Sequence, residues 1–396
     1  MTLSFAKRMN GMKASEIREI LKVTENPSII SFAGGLPAPE LFPVEELARV
    51  TEALLAGEGR RALQYSSTEG YMPLRSHIAR RMNRLLKTSI DEKQLLITSG
   101  SQQALDLIGK IFLDEGDEVL LERPSYLGAI QALRAYEPRF VEVETDSEGM
   151  LPDALEAVLK ASSRRKLIYV IPDFQNPTGR SWSLERRKAL AELSLKYGAV
   201  VVEDNPYGEL RFQGEACPSV LALGGSENLI HLGTFSKTLC PGLRVGWIAA
   251  SGVILEKLVQ VKQGADLHTS TFNQMQIAAL LDSFDLDAHV SRIQKVYGER
   301  RDVMLEAMKE AFPQEIQYTR PEGGLFTWVE LPEGVNGRHL FQKAVEAGVA
   351  FVPGGSFYAC TPRENTFRMN YSNMPEPRIR EGIQRLSQAL AAMLHS

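Results

Sequence analysis

The chain has 396 residues and a formal net charge of −4, its 45 Lys and Arg scattered among 49 Asp and Glu. That length exceeds what one ordinary hydrophobic core serves, so two domains are expected, and the lack of any basic block or stripe excludes nucleic acid as an electrostatic partner. A hydrophobic content of 44%, no apolar run of spanning length and three widely spaced cysteines (Cys217, Cys240, Cys360) exclude a membrane protein and a disulfide framework, which makes the cytoplasm the expected compartment.

At the N-terminus, Met1–Lys22 carries cations but also Glu16 and Glu19, and it lacks the apolar centre of a secretory signal. Ile17, Ile20 and Leu21 suit a short amphipathic helix over Ala14–Lys22. From about residue 94 short apolar runs alternate with amphipathic stretches. Strands are expected at Leu95–Thr98, Glu118–Glu122, Phe140–Val143, Leu167–Ile171, Val200–Glu203, Leu229–Leu232 and Val245–Ala249. Helices are expected at Gln102–Phe112, Leu127–Ala135, Pro152–Lys160 and Leu184–Tyr197. Near-continuous apolar strands separated by helices indicate a mostly parallel sheet covered on both faces, with functional residues at the carboxyl ends of its strands. After Asp282 the texture changes. A long helix (His289–Ala311), a strand (Gly323–Leu331), a helix (Gly337–Ala347), a strand (Thr366–Tyr371) and a terminal helix (Glu376–Leu394) read as a smaller α+β unit.

Several loops between these elements carry chemistry. Gly100-Ser101-Gln102 follows a strand and opens a helix, where free N–H groups and the helix dipole attract a phosphate and Ser101 and Gln102 add donors. An ordinary N-cap by Ser99 or Ser101 carries the same signature. The ring of Tyr126 can stack on a planar ligand or pack in the core. Asn176-Pro177-Thr178-Gly179 is either a plain turn or a placement of Asn176 as a donor to a ligand oxygen. Asp204 ends a buried apolar run, so it needs a cationic or proton-bearing partner unless it caps the following turn. Tyr207 either packs or hydrogen-bonds the same ligand as Asn176. Arg368, flanked by Phe367 and Met369 but facing the other way on its strand, suits a bidentate carboxylate clamp or a surface salt bridge.

The most informative stretch is Gly233-Thr-Phe-Ser-Lys-Thr-Leu-Cys-Pro-Gly-Leu-Arg-Val-Gly-Trp247. An ammonium among apolar side chains is costly, so the pKa of Lys237 should fall and its amine become nucleophilic. A Schiff base with pyridoxal phosphate (PLP) is the commonest reason to build such an environment, and Arg244 with the hydroxyls of Thr234 and Ser236 can neutralise a phosphate; a solvated lysine on a loop between strands is the plainer alternative.

Taken in chain order, this set resembles the fold-type-I PLP-dependent aminotransferases of class I/II over nearly the whole chain. The motifs Ser15-Glu16-Ile17-Arg18, Ser31–Pro43 and Leu63–Tyr71 are similar to the 2-aminoadipate/kynurenine aminotransferase branch; Cys240 (usually Ala) and Ser67 (commonly Pro) depart from it. The resemblance implies an α/β fold: an N-terminal arm with a mobile substrate-lid helix (1–43), a large PLP-binding domain with a mostly parallel seven-stranded sheet (44–285), and a small α+β domain (286–396). It implies a homodimer with shared active sites. Lys237 would hold PLP and shuttle the proton, Asp204 would pair with the pyridine nitrogen, and Asn176 and Tyr207 would bind the phenolic oxygen. Ser101, Gln102, Ser236 and Arg244 would bind the phosphate, joined by Tyr65 from the partner subunit, and Tyr126 would stack on the ring. Arg368 would grip the substrate α-carboxylate, with Gly35 against the substrate and Arg18 and Ser15 touching its side chain.

The implied activity is ping-pong transfer of an amino group to 2-oxoglutarate, with 2-aminoadipate the favoured donor and leucine-like and aromatic amino acids also accepted. A carbon–sulfur β-lyase uses the same scaffold, and so do the ligand-sensing domains of bacterial regulators. The latter carry a winged-helix domain where this chain has only a short helix ahead of Ser31–Pro43. The six histidines never fall at metal-ligand spacing, so no metal is expected, and Ser163-Arg-Arg-Lys166 lacks the companion motifs of a serine–lysine nucleophile.

Overall fold

The computed structural model describes residues 3–12, 20, 23, 26–224 and 227–394. Its larger sheet is built from β1 (Leu95–Thr98), β2 (Glu118–Glu122), β3 (Arg139–Val143), β4 (Arg165–Val170), β5 (Val200–Asp204), β6 (Leu229–Thr234) and β7 (Gly246–Ala249). The strands lie in the order β1-β7-β6-β5-β4-β2-β3. Every pair is parallel except those of β7, which runs antiparallel to both β1 and β6. β1, β2, β6 and β7 are buried along their whole lengths, which is why they read as continuous apolar runs rather than alternating ones.

Helices Ser101–Phe112, Leu127–Arg134 and Gly252–Ala265 cover one stretch of the sheet through Leu105, Ile108, Ile130 and Leu258. Helices Met72–Leu86 and Thr271–Ser283 cover another through Leu74, Ile78 and Ile277. Helices Val44–Ala62, Met72–Leu86, Val220–Gly224, Gly252–Ala265 and Thr271–Ser283 lie where the sequence pattern assigned none. The helix Thr271–Ser283 is buried on several sides by its neighbours, so no single apolar stripe marks it. Among the described residues no helix is long and apolar enough to cross a membrane.

The second sheet contains β8 (Gln317–Tyr318), β9 (Phe326–Glu330), β10 (Val352–Pro353) and β11 (Thr366–Asn370), all antiparallel, in the order β8-β9-β11-β10. Helices Leu286–Ala311, Gly337–Glu346 and Glu376–Leu394 pack on it through Met304, Met308, Leu340, Ile383 and Leu386. The N-terminal segment is stitched to this part of the molecule. Ile30–Ser31 pairs in parallel with Val349–Ala350, and the Asn370 N–H donates to the Phe32 carbonyl at 2.8 Å. That pairing carries Ala33–Gly35 across the end of β11, towards the carboxyl edge of the large sheet. The predicted helix Ala14–Lys22 falls outside the described residues except at Ile20, which is buried against Ala33, Leu127, Trp328 and Phe357.

Candidate active site

The register of three strands sets where the chemistry lies. Gly246 at the start of β7 pairs with Thr98 at the end of β1 and with Thr234 at the end of β6. The connection between β6 and β7 therefore emerges beside the first turn of the helix that follows β1, and it carries Ser236, Lys237 and Arg244. Asp204 ends β5 on the adjoining strand, paired with Leu232.

The corner where Ser101 and Gln102 lie is an open helix N-terminus. Gly100 is the N-cap of helix Ser101–Phe112 and no side chain caps it, so neither Ser99 nor Ser101 plays that part. The Ser101 hydroxyl is buried without a hydrogen-bond partner. Arg244 adopts a left-handed backbone (φ 52°) and donates from Nη2 to the Ser99 carbonyl at 3.3 Å. Gly100 has φ +80°, and a Cβ there would lie 2.5 Å from that Nη2, so only glycine permits the guanidinium to lie over this turn. The Ser236 N–H donates to Thr234 Oγ1 at 3.1 Å, and the Thr234 hydroxyl donates to Ser236 Oγ at 2.9 Å. Gln102 spends one amide hydrogen on the Gly128 carbonyl at 3.0 Å. Gly128 in turn leaves room for the Tyr126 ring, with which a Cβ would collide.

Lys237 Nζ donates to the Gly35 carbonyl at 2.8 Å. Burial, reinforced by the positive fields of Arg368 and Arg244, pulls its pKa down to about 8. Asp204 is 2% exposed; Oδ2 accepts from the Tyr169 hydroxyl at 2.7 Å while Oδ1 is buried with no partner. Burial pushes its carboxyl up to about 6 against the opposing pull of Tyr169 and His231. An unsatisfied carboxylate oxygen at the end of a buried strand requires an incoming proton donor, and turn capping does not supply one. Tyr207 is buried edge-on to Phe326, and burial raises its phenol well above the ordinary value.

Arg368 is likewise 2% exposed. It donates to Asn176 Oδ1 at 2.8 Å and to the Ala33 carbonyl at 2.7 Å, its guanidinium 4.1 Å from the Phe326 ring centre and 5.1 Å from that of Phe357. Among the described residues its Nε has no partner and no carboxylate pairs with it. Burial lowers its pKa to about 10. A cation held in this way is suited to an anionic ligand rather than to a surface salt bridge.

One cavity of about 480 Å³ brings together Gly35, Ser101, Gln102, Tyr126, Asn176, Asp204, Tyr207, Ser236, Lys237, Arg244 and Arg368. Tyr65 is not among them. It is 78% exposed, and its ring meets that of His268 edge-on, 5.8 Å between centres. Arg18 and Ser15 lie outside the described residues. The sequence reading missed Tyr169, Phe326, Phe357 and the carbonyl of Ala33. A tyrosine within the aliphatic run of β4 was an available signal, because a buried hydroxyl needs a partner; a backbone carbonyl leaves no such trace.

These residues fit PLP. The partnerless Ser101 hydroxyl, the open helix N-terminus and Arg244 suit its phosphate, the free Asp204 oxygen suits a protonated ring nitrogen, and Lys237 suits its aldehyde. Comparison with known proteins agrees. The family model for aminotransferase class I and II matches residues 36–386. The chain is 49% identical to a 2-aminoadipate transaminase of Thermus thermophilus over 394 residues, 99% of this chain and 97% of that one. It is 46% identical to an aromatic-amino-acid aminotransferase of Thermococcus litoralis over 390 residues, 98% of this chain and 94% of that one. Its fold superimposes with a TM-score of 0.92, at 48% identity and with 99% and 98% of the two chains covered, on a Thermus thermophilus α-aminoadipate aminotransferase complexed with N-(5'-phosphopyridoxyl)-L-leucine. The chain belongs to the class I and II aminotransferases, in the branch of the 2-aminoadipate and kynurenine enzymes, and is a PLP-dependent transaminase of fold type I.

Proposed function

We propose that the protein transfers the amino group of 2-aminoadipate, and of leucine-like and aromatic amino acids, to 2-oxoglutarate by a ping-pong route in the cytoplasm. The observation that carries this reading is Arg368: a buried guanidinium, lying against the rings of Phe326 and Phe357 and unpaired with any described carboxylate, in the same cavity as Lys237. When bound, PLP supplies an electron sink conjugated to the substrate α-carbon. Arg368 grips the α-carboxylate, which turns the α-hydrogen towards Nζ of Lys237. Phe326 and Phe357 keep water from that contact and so strengthen it. Lys237 Nζ, neutral above about pH 8, would take the substrate's α-proton and hold it for return. Asp204 Oδ1 would keep the ring nitrogen protonated, Asn176 and Tyr207 would hold the phenolic oxygen, Ser101, Gln102, Ser236 and Arg244 would anchor the phosphate, and Tyr126 would lie against the ring.

Selectivity in this reading would rest on Arg18, aided by Ser15, meeting the distal carboxylate of a dicarboxylic donor. Losing a buried charge-assisted contact costs about 2 kcal/mol or more, a factor of roughly 30. Initial rates for a panel of donors with 2-oxoglutarate should place 2-aminoadipate first, and Arg18→Ala should cut its kcat/KM at least roughly 30-fold while leucine loses far less. Equal losses for both donors contradict this role of Arg18, and pyruvate and ammonia released without a keto acid would make the enzyme a β-lyase.

The active unit in this reading is a homodimer in which the exposed Tyr65 reaches the partner's phosphate. Hybrids of Tyr65→Ala and Lys237→Ala subunits carry one site with both lesions and one with neither. Each homodimer should be inactive or weak, and the mixture should regain activity approaching one intact site per hybrid. Hybrids that stay inactive although both subunits fold would refute the shared site.

A further inference from the structure

β5 ends in two consecutive carboxylates, Glu203 and Asp204, which must point to opposite faces of the sheet. They are treated very differently. Glu203 is fully engaged: it accepts from the Ser219 hydroxyl, from the N–H groups of Val220 at 2.9 Å and Leu221 at 3.2 Å, and lies 3.2 Å from His231 Nδ1. Against the penalty of burial, His231 and Ser219 hold its pKa down to about 2. Asp204 has a single partner among the described residues, the Tyr169 hydroxyl.

Tyr169 is suited to that one contact. On β4 it pairs with Val202, so Asp204, two residues further on and on the same face, is its diagonal neighbour, within reach of a long side chain. It is 0% exposed and lies in the main core, and burial next to Asp204 raises its phenol well above the ordinary value, so it is always a donor. The other titratable groups that act on Asp204 are Tyr126 and Tyr207 in the cavity and His231 on β6. His231 is already committed to Glu203, and neither tyrosine hydrogen-bonds Asp204.

We propose that Tyr169 is a positioning residue for Asp204: its hydroxyl occupies Oδ2, so that the carboxylate meets the cofactor's ring nitrogen through Oδ1 alone. This rests on the reading of Asp204 as the ring-nitrogen partner. The contact does two things. It locks the carboxylate rotamer where, among the described residues, no other group donates to it, and it withdraws negative charge from Asp204, making it less basic, so that the shared proton stays on the ring nitrogen.

The test uses holoenzyme loaded with PLP labelled with ¹⁵N in the ring. In Tyr169→Phe, which keeps the ring packing, the ¹⁵N resonance should move towards that of unprotonated pyridine. kcat should fall roughly 10- to 100-fold, the range for a lost hydrogen bond to a buried charge, with KM for the donor nearly unchanged. Replacing Tyr169 by 3-fluorotyrosine, a stronger donor of nearly the same size, should move the resonance the opposite way. A resonance that stays at the wild-type position in both variants overturns the proposal, even if activity or melting temperature drops, because packing alone would then explain the loss. Asp204→Asn in the same experiment separates the levels. If it shifts the resonance and the Tyr169 variants do not, only the positioning role fails. If it too leaves the resonance in place, the role of Asp204 fails and the proposal with it.

Discussion

Lys237→Ala is expected to lose essentially all transamination, by a factor of about 10²–10⁴ for the proton transfer alone. The reason lies in the environment of Nζ. Burial, with Arg368 and Arg244 acting in the same direction, brings the ammonium down to about pH 8, and the Gly35 carbonyl orients it. The sign of the pH dependence follows. Below about 8 the amine is protonated and cannot attack the cofactor's aldehyde; above it the amine is neutral. Capture of PLP by the cofactor-free protein should therefore accelerate about tenfold per pH unit up to that value and level off beyond it. In Lys237→Ala the borohydride-fixed adduct should vanish from the peptide containing position 237, and added small alkylamines should restore part of the proton transfer. A fixed adduct at wild-type yield on another lysine would overturn the assignment.

Asp204→Asn should keep PLP in place and still lose most turnover, about 10²–10³-fold, the usual cost of removing one preorganised electrostatic partner from a dry site. Oδ1 is buried and without a partner among the described residues, so the charge it presents is available to a ligand. The amide keeps the size but not the charge, and the ring nitrogen then loses its proton, weakening the stabilisation that counts only in the transition state. Equilibrium dialysis would show retention of the cofactor, and stopped-flow half-reactions with an amino donor would show the loss. Turnover near the wild-type level would remove Asp204 from the mechanism.

The two predictions draw on different kinds of legibility. Lys237 was visible because a cation in an apolar stretch, with a hydroxyl and an arginine nearby, is chemically conspicuous in one dimension. Asp204 was visible as the carboxylate that ends the run Val200-Val201-Val202-Glu203. The sheet strands could be read because burial on both faces turns them into apolar runs, whereas the helix Thr271–Ser283, packed on several sides, shows no periodic stripe. Gly100-Ser101-Gln102 left two readings open, and only the geometry of Gly100 as an uncapped N-cap, with Ser101 unpartnered, separates them.

By itself the sequence determined the reactive groups and the order in which a sheet would present them, since side-chain chemistry and hydrophobic period are local properties. What only the tertiary structure decided are the contacts made across long separations. The antiparallel insertion of β7 between β1 and β6 brings Arg244 over Gly100. The pairing of Ile30–Ser31 with Val349–Ala350 carries the carbonyls of Ala33 and Gly35 to Arg368 and Lys237. The register of β4 on β5 puts Tyr169 against Asp204. These depend on strand register and on backbone carbonyls, which every residue possesses alike, so nothing in the order of side chains distinguishes them until the chain has folded.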